Sequence, residues 1–289
     1  MEEKRKIETV DIRSEFFPRM LREIEKCPEK LYCIGNLELL NRRSIALVGS
    51  RKTTQYGRNT AREIALKLSS RGITVVSGMA AGIDTCAHEG AVNQRGGTVA
   101  VLGCGPDVCY PSINARLKEI IEAKGLIVSE FPPGTGVEKY HFPMRNRIIS
   151  GLSEGTVVVQ AGASSGAIIT AELAVDQQRD VYAVPGNIDS QYNLGSNKLI
   201  RDGAIPVLTT GDLLDQLGVG VIDEEEAALI LSDSERQVYK LLMERGELSA
   251  DQLCMFTGFR PSEMAKLLTV MELKGIVFSS MGKIFVAKN

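Results

Sequence analysis

Six short hydrophobic runs recur between residues 45 and 184, and most of their members are β-branched. They are IALV (45–48), ITVV (73–76), TVAVL (98–102), LIV (126–128), TVVV (156–159) and VYAV (181–184). Runs that are almost continuously hydrophobic are typical of parallel strands covered on both faces, whereas strands with one wet face alternate with polar residues. We therefore predict an α/β fold with an open, mostly parallel sheet.

Two of the stretches between these runs carry apolar stripes at helical spacing. The stripes are Ala61, Ile64, Ala65 and Leu68, and then Ile113, Leu117, Ile120 and Ile121. Residues spaced three or four apart lie on one face of a helix, so each stripe should pack on the sheet. The repeated strand–helix order predicts helices on both faces, joined by right-handed crossovers.

The alternation ends near residue 218, where the chain changes character. Four consecutive acids at 223–226 indicate a linker, and a helical stretch with a capping-box-like start follows at Ser232. An apolar stripe between Met264 and Met271 and a plausible hairpin around SSMGK complete a helix, helix, helix, hairpin order. This order is typical of a winged helix.

We therefore predict four segments. They are an N-terminal lead-in that docks on the sheet edge (1–43), the α/β domain (44–218), an acidic linker (219–231) and a small winged-helix-like domain (232–289). Residues 232–289 contain eight Lys or Arg and seven Asp or Glu. Because a DNA-reading winged helix needs a basic recognition helix, we interpret this nearly neutral tail as contacting protein.

Charge, cysteine and histidine content bear on whether the protein binds nucleic acid, a metal ion or a membrane. The formal net charge is −2, so a nucleic-acid interface would need locally concentrated positive charge. The six cysteines form no C-x-x-C pair and there are only two histidines, so we expect no metal site and reduced, cytoplasmic thiols. Because no signal-peptide-like start and no run of about 18 apolar residues occur, we expect no membrane attachment.

Loops rich in glycine and serine follow four of the predicted strands, at 49–57, 77–84, 103–111 and 160–170. The carboxyl ends of parallel strands lie at one edge of the sheet, and helix N-termini there offer free N–H groups. Four such loops can build a long anion-binding groove. Since none contains G-x-G-x-x-G or a P-loop motif, a dinucleotide or nucleoside triphosphate is disfavoured and no cofactor is expected.

Cations and one aromatic residue lie in or near these loops. Arg51 and Lys52 follow the first strand, Lys139 precedes the helical stretch that contains Phe142, and Lys198 lies further along. Lys139 could contact a ligand or be a solvated surface charge. Phe142 could stack on a base, as aromatic residues do in sequence-tolerant strand binding, or pack at its helix start.

Arg145, Asn146 and Arg147 are consecutive and must fan around one helix. At most two of them can face a single groove, and we expect the third to form an internal ion pair or hydrogen bond.

No arrangement of residues suggests catalysis. His88 is expected to cap or pack in its helix, Asp84 to begin that helix, and Tyr110 to pack in a turn. We therefore predict a binding protein with no catalytic residues.

Eight stretches carry a family resemblance. They are VGSR (48–51), SGMAAGID (77–84), GTVAVLGCGPDVCYPSINARL (97–117), SEFPPG (129–134), FPMRNRIISGLS (142–153), SGAIITAELA (165–174), VYAVPG (181–186) and GSNKLIRDGA (195–204). In this order and spacing they resemble the DNA-processing protein A family (DprA, also called Smf). The resemblance implies an extended Rossmann-like domain that binds single-stranded DNA, forms a homodimer and helps load the RecA recombinase in natural transformation.

The resemblance also implies the DNA contacts. By motif match these are Ser50, Arg51, Ser77, Gly78, Phe142, Arg145, Arg147, Ser165 and Gly166. The loops themselves add Lys52, Gly82, Lys139, Asn146 and Lys198 as candidates. The chain departs from the family at Gln160, where Glu is usual, and at Gln178, where Gly is frequent.

Two rival functions stay open. One is a nucleotide-cleaving enzyme of the lysine-decarboxylase-like group, with Glu172 as its acid. Glu172 lies six residues after Gly166 rather than four, which turns the carboxylate roughly 200° around the helix and away from the pocket. The other is a scaffold for recombinase with a vestigial groove.

Overall fold

A computed structural model describes residues 6–219, 231–273, 276–280 and 282–286. It divides into two compact units, Met1–Thr210 and Gly211–Asn289. Most of the predicted acidic linker, at 220–230, lies outside the described residues. None of the helices in the described ranges is both long enough and apolar enough to cross a membrane.

A nine-stranded sheet forms the centre of the first unit. Its strands are β1 (Glu8–Asp11), β2 (Lys30–Gly35), β3 (Ser44–Gly49), β4 (Thr74–Ser77), β5 (Thr98–Leu102), β6 (Leu126–Ser129), β7 (Gly155–Gln160), β8 (Asp180–Ala183) and β9 (Ile205–Pro206). Their spatial order is β1-β2-β6-β5-β4-β3-β7-β8-β9. All six hydrophobic runs form parallel strands, which confirms the predicted fold class.

The helices of the first unit are α1 (Arg19–Arg22), α2 (Gln55–Ser70), α3 (Ile83–Ala91), α4 (Ala115–Lys124), α5 (His141–Gly151), α6 (Gly166–Asp176) and α7 (Leu194–Arg201), and α8 (Thr210–Gln216) follows at the boundary. Val99 and Val101 of β5 belong to one hydrophobic core, and Ala100 and Leu102 to a second. Because successive strand residues point to opposite faces, the sheet has a core on each side, as the pattern predicted.

The lead-in at 1–43 supplies two strands that the sequence did not predict. β1 pairs antiparallel with β2, and β2 pairs antiparallel with β6 at the edge of the parallel array. The predicted α2 stripe is fully buried, with Leu68 0% exposed. The prediction for Ile113 was wrong: this residue is 82% exposed because it lies in the 3-10 turn Ser112–Asn114, before α4 begins.

The second unit has the predicted order of elements. Its helices are α9 (Asp233–Arg245), α10 (Ala250–Thr257) and α11 (Pro261–Leu273), and β10 (Val277–Ser280) and β11 (Lys283–Val286) form an antiparallel hairpin. Ser232 and Glu235 form the expected capping box at the start of α9. Met264, Leu268 and Met271 are buried in the core of this unit.

Candidate functional site

The strand order reverses between β3 and β7. From β3 the chain adds β4, β5 and β6 on one side, whereas β7, β8 and β9 extend the sheet on the other side. The loops that follow β3 and β7 therefore diverge, and ligands of open α/β sheets bind in the space that such a reversal leaves. A cavity of about 870 Å³ lies here, within the size range of ligand sites.

We call this cavity the crevice. Its lining comes from the loops after β3 and β7, from the start of α5 and α6, and from Tyr110, Gln191 and Tyr192. Predicted residues that line it are Ser50, Arg51, Lys52, Lys139, Phe142, Arg145, Asn146, Ser165 and Gly166. Nine of the fourteen candidate residues thus meet at one site.

Ser50 and Gln160 fix the two loops to each other. The Ser50 N–H donates to the Gln160 carbonyl at 2.7 Å, and the Ser50 hydroxyl donates to Ser165 Oγ at 3.2 Å. The Gln160 amide accepts from the Thr53 hydroxyl at 2.7 Å and donates to Asn193 Oδ1 at 2.8 Å. One buried side chain therefore connects the loop after β3, the end of β7 and the residue before α7.

Helix α5 presents one face to the crevice. Phe142, Arg145, Asn146 and Ile149 line the cavity at helical spacing. Arg147 points elsewhere and forms an ion pair with Glu130 at 2.6 Å. The expectation that at most two of Arg145, Asn146 and Arg147 share a groove is confirmed.

Two side chains contact the Phe142 ring. The Tyr110 ring lies 5.4 Å away between centroids, and the Arg51 guanidinium carbon lies 5.3 Å from the Phe142 centroid. Tyr110 was expected to pack in a turn. It contacts Phe142, but it is 40% exposed and so also presents part of its surface to solvent. This aromatic–cation cluster offers flat surfaces and positive charge at the same place.

The crevice concentrates positive charge in a chain whose net charge is −2. Arg51, Lys52 and Lys139 are exposed on its rim, and Arg145 lies at its floor. Among the described residues that line it, Asp84 carries the one carboxylate. The local field therefore favours an anionic ligand.

Arg145 and Asp84 are both buried, with 5% and 6% of their surfaces exposed. Burial lowers the pKa of Arg145 to about 10, while the Asp84 charge acts in the opposite direction. Burial also raises the pKa of Asp84, against the effects of Arg145 and of backbone N–H groups. Each charge is thus partly compensated by the other.

Five predicted contacts lie outside the crevice. Ser77 is 0% exposed, and its hydroxyl donates to the Leu47 carbonyl. Gly78 packs under the Arg145 guanidinium, and Gly82 (φ +89°) approaches the Ser50 carbonyl so closely that a Cβ would clash with it. Arg147 is held by Glu130, and Lys198 lines a second cavity between α6, β8 and α7. These five residues were predicted to contact DNA. In the structure they do not line the crevice: they either shape its loops or lie apart from it.

Asp84, Tyr110, Gln191 and Tyr192 also line the crevice, although the sequence did not predict them as site residues. Gln191 and Tyr192 come from the loop after β8, which was not considered. Because β8 is parallel to β7, the loop after β8 reaches the same edge of the sheet. The hydrophobic run at 181–184 already predicted this strand, so the sequence could have placed the loop at the site.

Glu172 does not belong to the crevice. It lies on the opposite face of α6 and lines the second cavity with Lys198. The carboxylate required by the nucleotide-cleaving alternative therefore faces away from the pocket, as its spacing predicted.

Several known proteins are similar to this chain. A family model described as DNA recombination-mediator protein A matches residues 8–218. The DNA processing protein DprA of Bacillus subtilis is 39% identical over 212 residues, which make up 73% of this chain and 71% of the relative. The chain spans less than two thirds of the length of several other relatives, down to 56%.

Two solved structures are similar. The X-ray structure of DprA from Streptococcus pneumoniae is 41% identical with a TM-score of 0.69, and the match covers 73% of this chain and 74% of that one. DNA processing protein A from Helicobacter pylori, described for its single-stranded DNA binding mode, is 28% identical with a TM-score of 0.69, covering 75% and 98%. The fold, the motifs and these matches agree, and the chain therefore belongs to the family of DNA recombination-mediator protein A.

Proposed function

We propose that this protein binds single-stranded DNA in the crevice and acts without catalysing a reaction. The observation that carries the proposal is the convergence of Arg51, Lys52 and Lys139 on a pocket whose lining also holds Phe142 and Tyr110. Cations neutralise phosphates, and exposed rings stack on bases, which together are the means of sequence-tolerant strand binding.

The proposed contacts divide into two kinds. Arg51, Lys52 and Lys139 face phosphates, with further hydrogen bonds from Ser50, Asn146 and the Ser165–Gly166 start of α6. Phe142 and Tyr110 face bases. Because paired bases cannot stack on these rings, single strands bind more tightly than duplex DNA. The similar Helicobacter pylori protein, described for its single-stranded DNA binding, supports this assignment.

The finer role that we propose is recombination mediation in the cytoplasm. The protein, as a homodimer, holds incoming single strands and helps load the RecA recombinase during natural transformation. The family description as a recombination mediator supports this role. The second unit, with its helix, helix, helix, hairpin order and nearly neutral charge, contacts protein as a winged-helix-like module.

The binding proposal is tested by titrating labelled single-stranded and duplex oligonucleotides at several salt concentrations. We expect log K against log salt to fall with a slope of about −0.7 for each phosphate neutralised on single strands. Arg51→Ala should weaken binding by roughly 1–3 kcal/mol, the range for hydrogen bonds to charged groups, and reduce the slope by about 0.7.

Arg95→Ala is the matched control. Arg95 is also an exposed arginine in a turn, but it precedes β5 and so lies at the opposite edge of the sheet. The Arg95→Ala variant should bind single-stranded DNA as tightly as the unmodified protein does. A flat salt response, or equal losses from both substitutions, would show that the crevice is not the DNA site and would favour the scaffold function.

A further inference from the structure

Arg145 uses its guanidinium to hold the backbone beneath the crevice. Its Nη1 donates to the carbonyl oxygen of Gly78 at 2.6 Å and also to that of Val101. Its Nε donates to Asn146 Oδ1 at 3.3 Å. Gly78 directly follows β4 and Val101 lies near the end of β5, so a side chain of α5 ties the ends of two central strands together.

Asp84 performs the complementary task at the start of α3. Its carboxylate accepts from the Ala80 N–H at 3.3 Å and from the N–H groups of Gly78 and Gly49. These donors belong to the loop after β4 and to the last residue of β3, which leads directly into Ser50 and Arg51. The carboxylate therefore orders backbone N–H groups, while Arg145 orders backbone carbonyls on the same loops.

We infer that Arg145 and Asp84 form a buried positioning pair that sets the geometry of the crevice loops, and that Arg145 does not neutralise a phosphate. The inference rests on the proposed function, and it removes Arg145 from the DNA contacts that the family resemblance implies. Arg145 is 5% exposed and its guanidinium is engaged with carbonyls, so it has little surface to offer a strand. Replacing only one partner would leave the other charge buried and uncompensated.

The pair is tested with the double variant Asp84→Asn with Arg145→Gln, which leaves the net charge unchanged. Its matched control is Glu89→Gln with Arg62→Gln, which removes an ion pair of 2.7 Å whose side chains are about 40% exposed. We expect the buried double variant to bind single strands about tenfold more weakly at fixed salt, with the salt slope of the unmodified protein. The control double variant should change neither quantity.

Arg145→Lys keeps the charge and provides the test if the double variant does not fold. A lysine can still neutralise a phosphate, but its single nitrogen cannot replace both the Nη1 that bonds the two carbonyls and the Nε that bonds Asn146 Oδ1. We expect binding to weaken with the slope unchanged. Binding equal to the unmodified protein, or a slope reduced as in Arg51→Ala, would overturn the inference.

Amide hydrogen exchange without DNA separates this inference from the proposed function. We expect Arg145→Lys and the buried double variant to exchange faster at residues 49–51 and 78–80, whereas the control pair should not. Unchanged exchange there would overturn the positioning role even if DNA binds. If the unmodified protein bound no DNA, the proposed function would fail, and the exchange data would still decide the positioning role.

Discussion

His88 is a histidine that the fold keeps neutral. It is 0% exposed, and its Nδ1 lies 2.7 Å from the Thr98 hydroxyl. Since that hydroxyl donates its own proton to the Val75 carbonyl, it can only accept from His88, so Nδ1 carries the imidazole proton. The Nε2 atom has no hydrogen-bond partner among the described residues. Burial, and secondarily the Arg145 charge, lower the pKa of His88 to about 3.

The position of His88 predicts acid sensitivity. Its folded-state pKa lies below the unfolded value of about 6.5, so between these two values only the unfolded chain binds the proton. The free energy of unfolding should therefore fall as pH drops below about 6.5, by up to about 1.4 kcal/mol per pH unit from this group. Urea unfolding at pH 7.5 and pH 5 measures the effect.

His88→Asn is the comparison, because the Asn amide can still donate to Thr98 but does not titrate. The variant should be less stable at pH 7.5, since the ring volume is lost, and should lose less additional stability on acidification. If the free energy of unfolding of His88→Asn fell as much between pH 7.5 and pH 5 as that of the unmodified protein, the acid sensitivity would come from other titratable groups.

Residue chemistry predicted part of this site. The 100° turn per helix residue correctly predicted that at most two of Arg145, Asn146 and Arg147 share a groove, but not which of them would lie outside it. It could not show that Arg145 is buried, because that depends on the carbonyls of Gly78 and Val101, which lie far away in sequence. Ser77 looked like a ligand donor for the same reason: a serine at a strand end does not reveal that its hydroxyl already bonds the Leu47 carbonyl.

At the scale of elements, the end of α6 contains a backbone conformation that suits glycine. Gln178 has φ +58°, the Arg179 N–H donates to the Ala174 carbonyl at 2.8 Å, and the Gln178 N–H donates to the Val175 carbonyl at 2.9 Å. These bonds define a Schellman motif with Gln178 in the left-handed position. Glycine is the usual residue at this position of a Schellman motif, so Gln178 adopts a strained conformation here.

Gln178→Gly should stabilise the protein by about 0.5–1 kcal/mol, because glycine avoids the left-handed penalty but loses more entropy on folding. Glu172→Gly, in the interior of the same helix, should destabilise it by roughly 0.5 kcal/mol, because glycine is a poorer helix former than glutamate. Thermal unfolding of both variants provides the measurement. If Gln178→Gly destabilised the protein, the contacts of the Gln178 side chain would stabilise the fold by more than its left-handed backbone conformation costs.

Elements were predictable where hydrophobicity was continuous. The runs at 45–48 and 98–102 are short, continuously hydrophobic and rich in β-branched residues, which favours buried strands, and they located the carboxyl edge of the sheet. Strand β1 (ETVD) has no such run, and β2 has only LYCI with a single β-branched residue. Both were missed, because their position depends on pairing with each other and with β6. The start of α4 was misplaced because nothing local distinguishes the 3-10 turn at Ile113 from a helical turn.

For the whole molecule, the crevice cations all belong to the first compact unit. Arg51, Lys52 and Lys139 precede residue 140, whereas the second unit begins at Gly211. DNA affinity should therefore be a property of the first part of the chain.

Deleting residues 219–289 should leave single-strand affinity within a factor of about ten, or about 1.4 kcal/mol. The two proteins are compared by oligonucleotide titration at one salt concentration, with circular dichroism and thermal unfolding to verify that residues 1–218 remain folded. A larger loss from a folded, equally oligomeric fragment would place DNA contacts in the second unit and contradict its proposed protein-contacting role.

The far edge of the sheet limits how copies of this protein can associate. Strand β9 consists of Ile205 and Pro206, and proline has no N–H to give to another strand. An incoming strand would find at most the single N–H of Ile205, so the sheet cannot be extended into a continuous ladder at this edge. Edge-to-edge growth, the usual route to β-aggregation, is blocked there. A second copy that met this end of the sheet would have to make most of its contacts through side chains rather than through a backbone ladder.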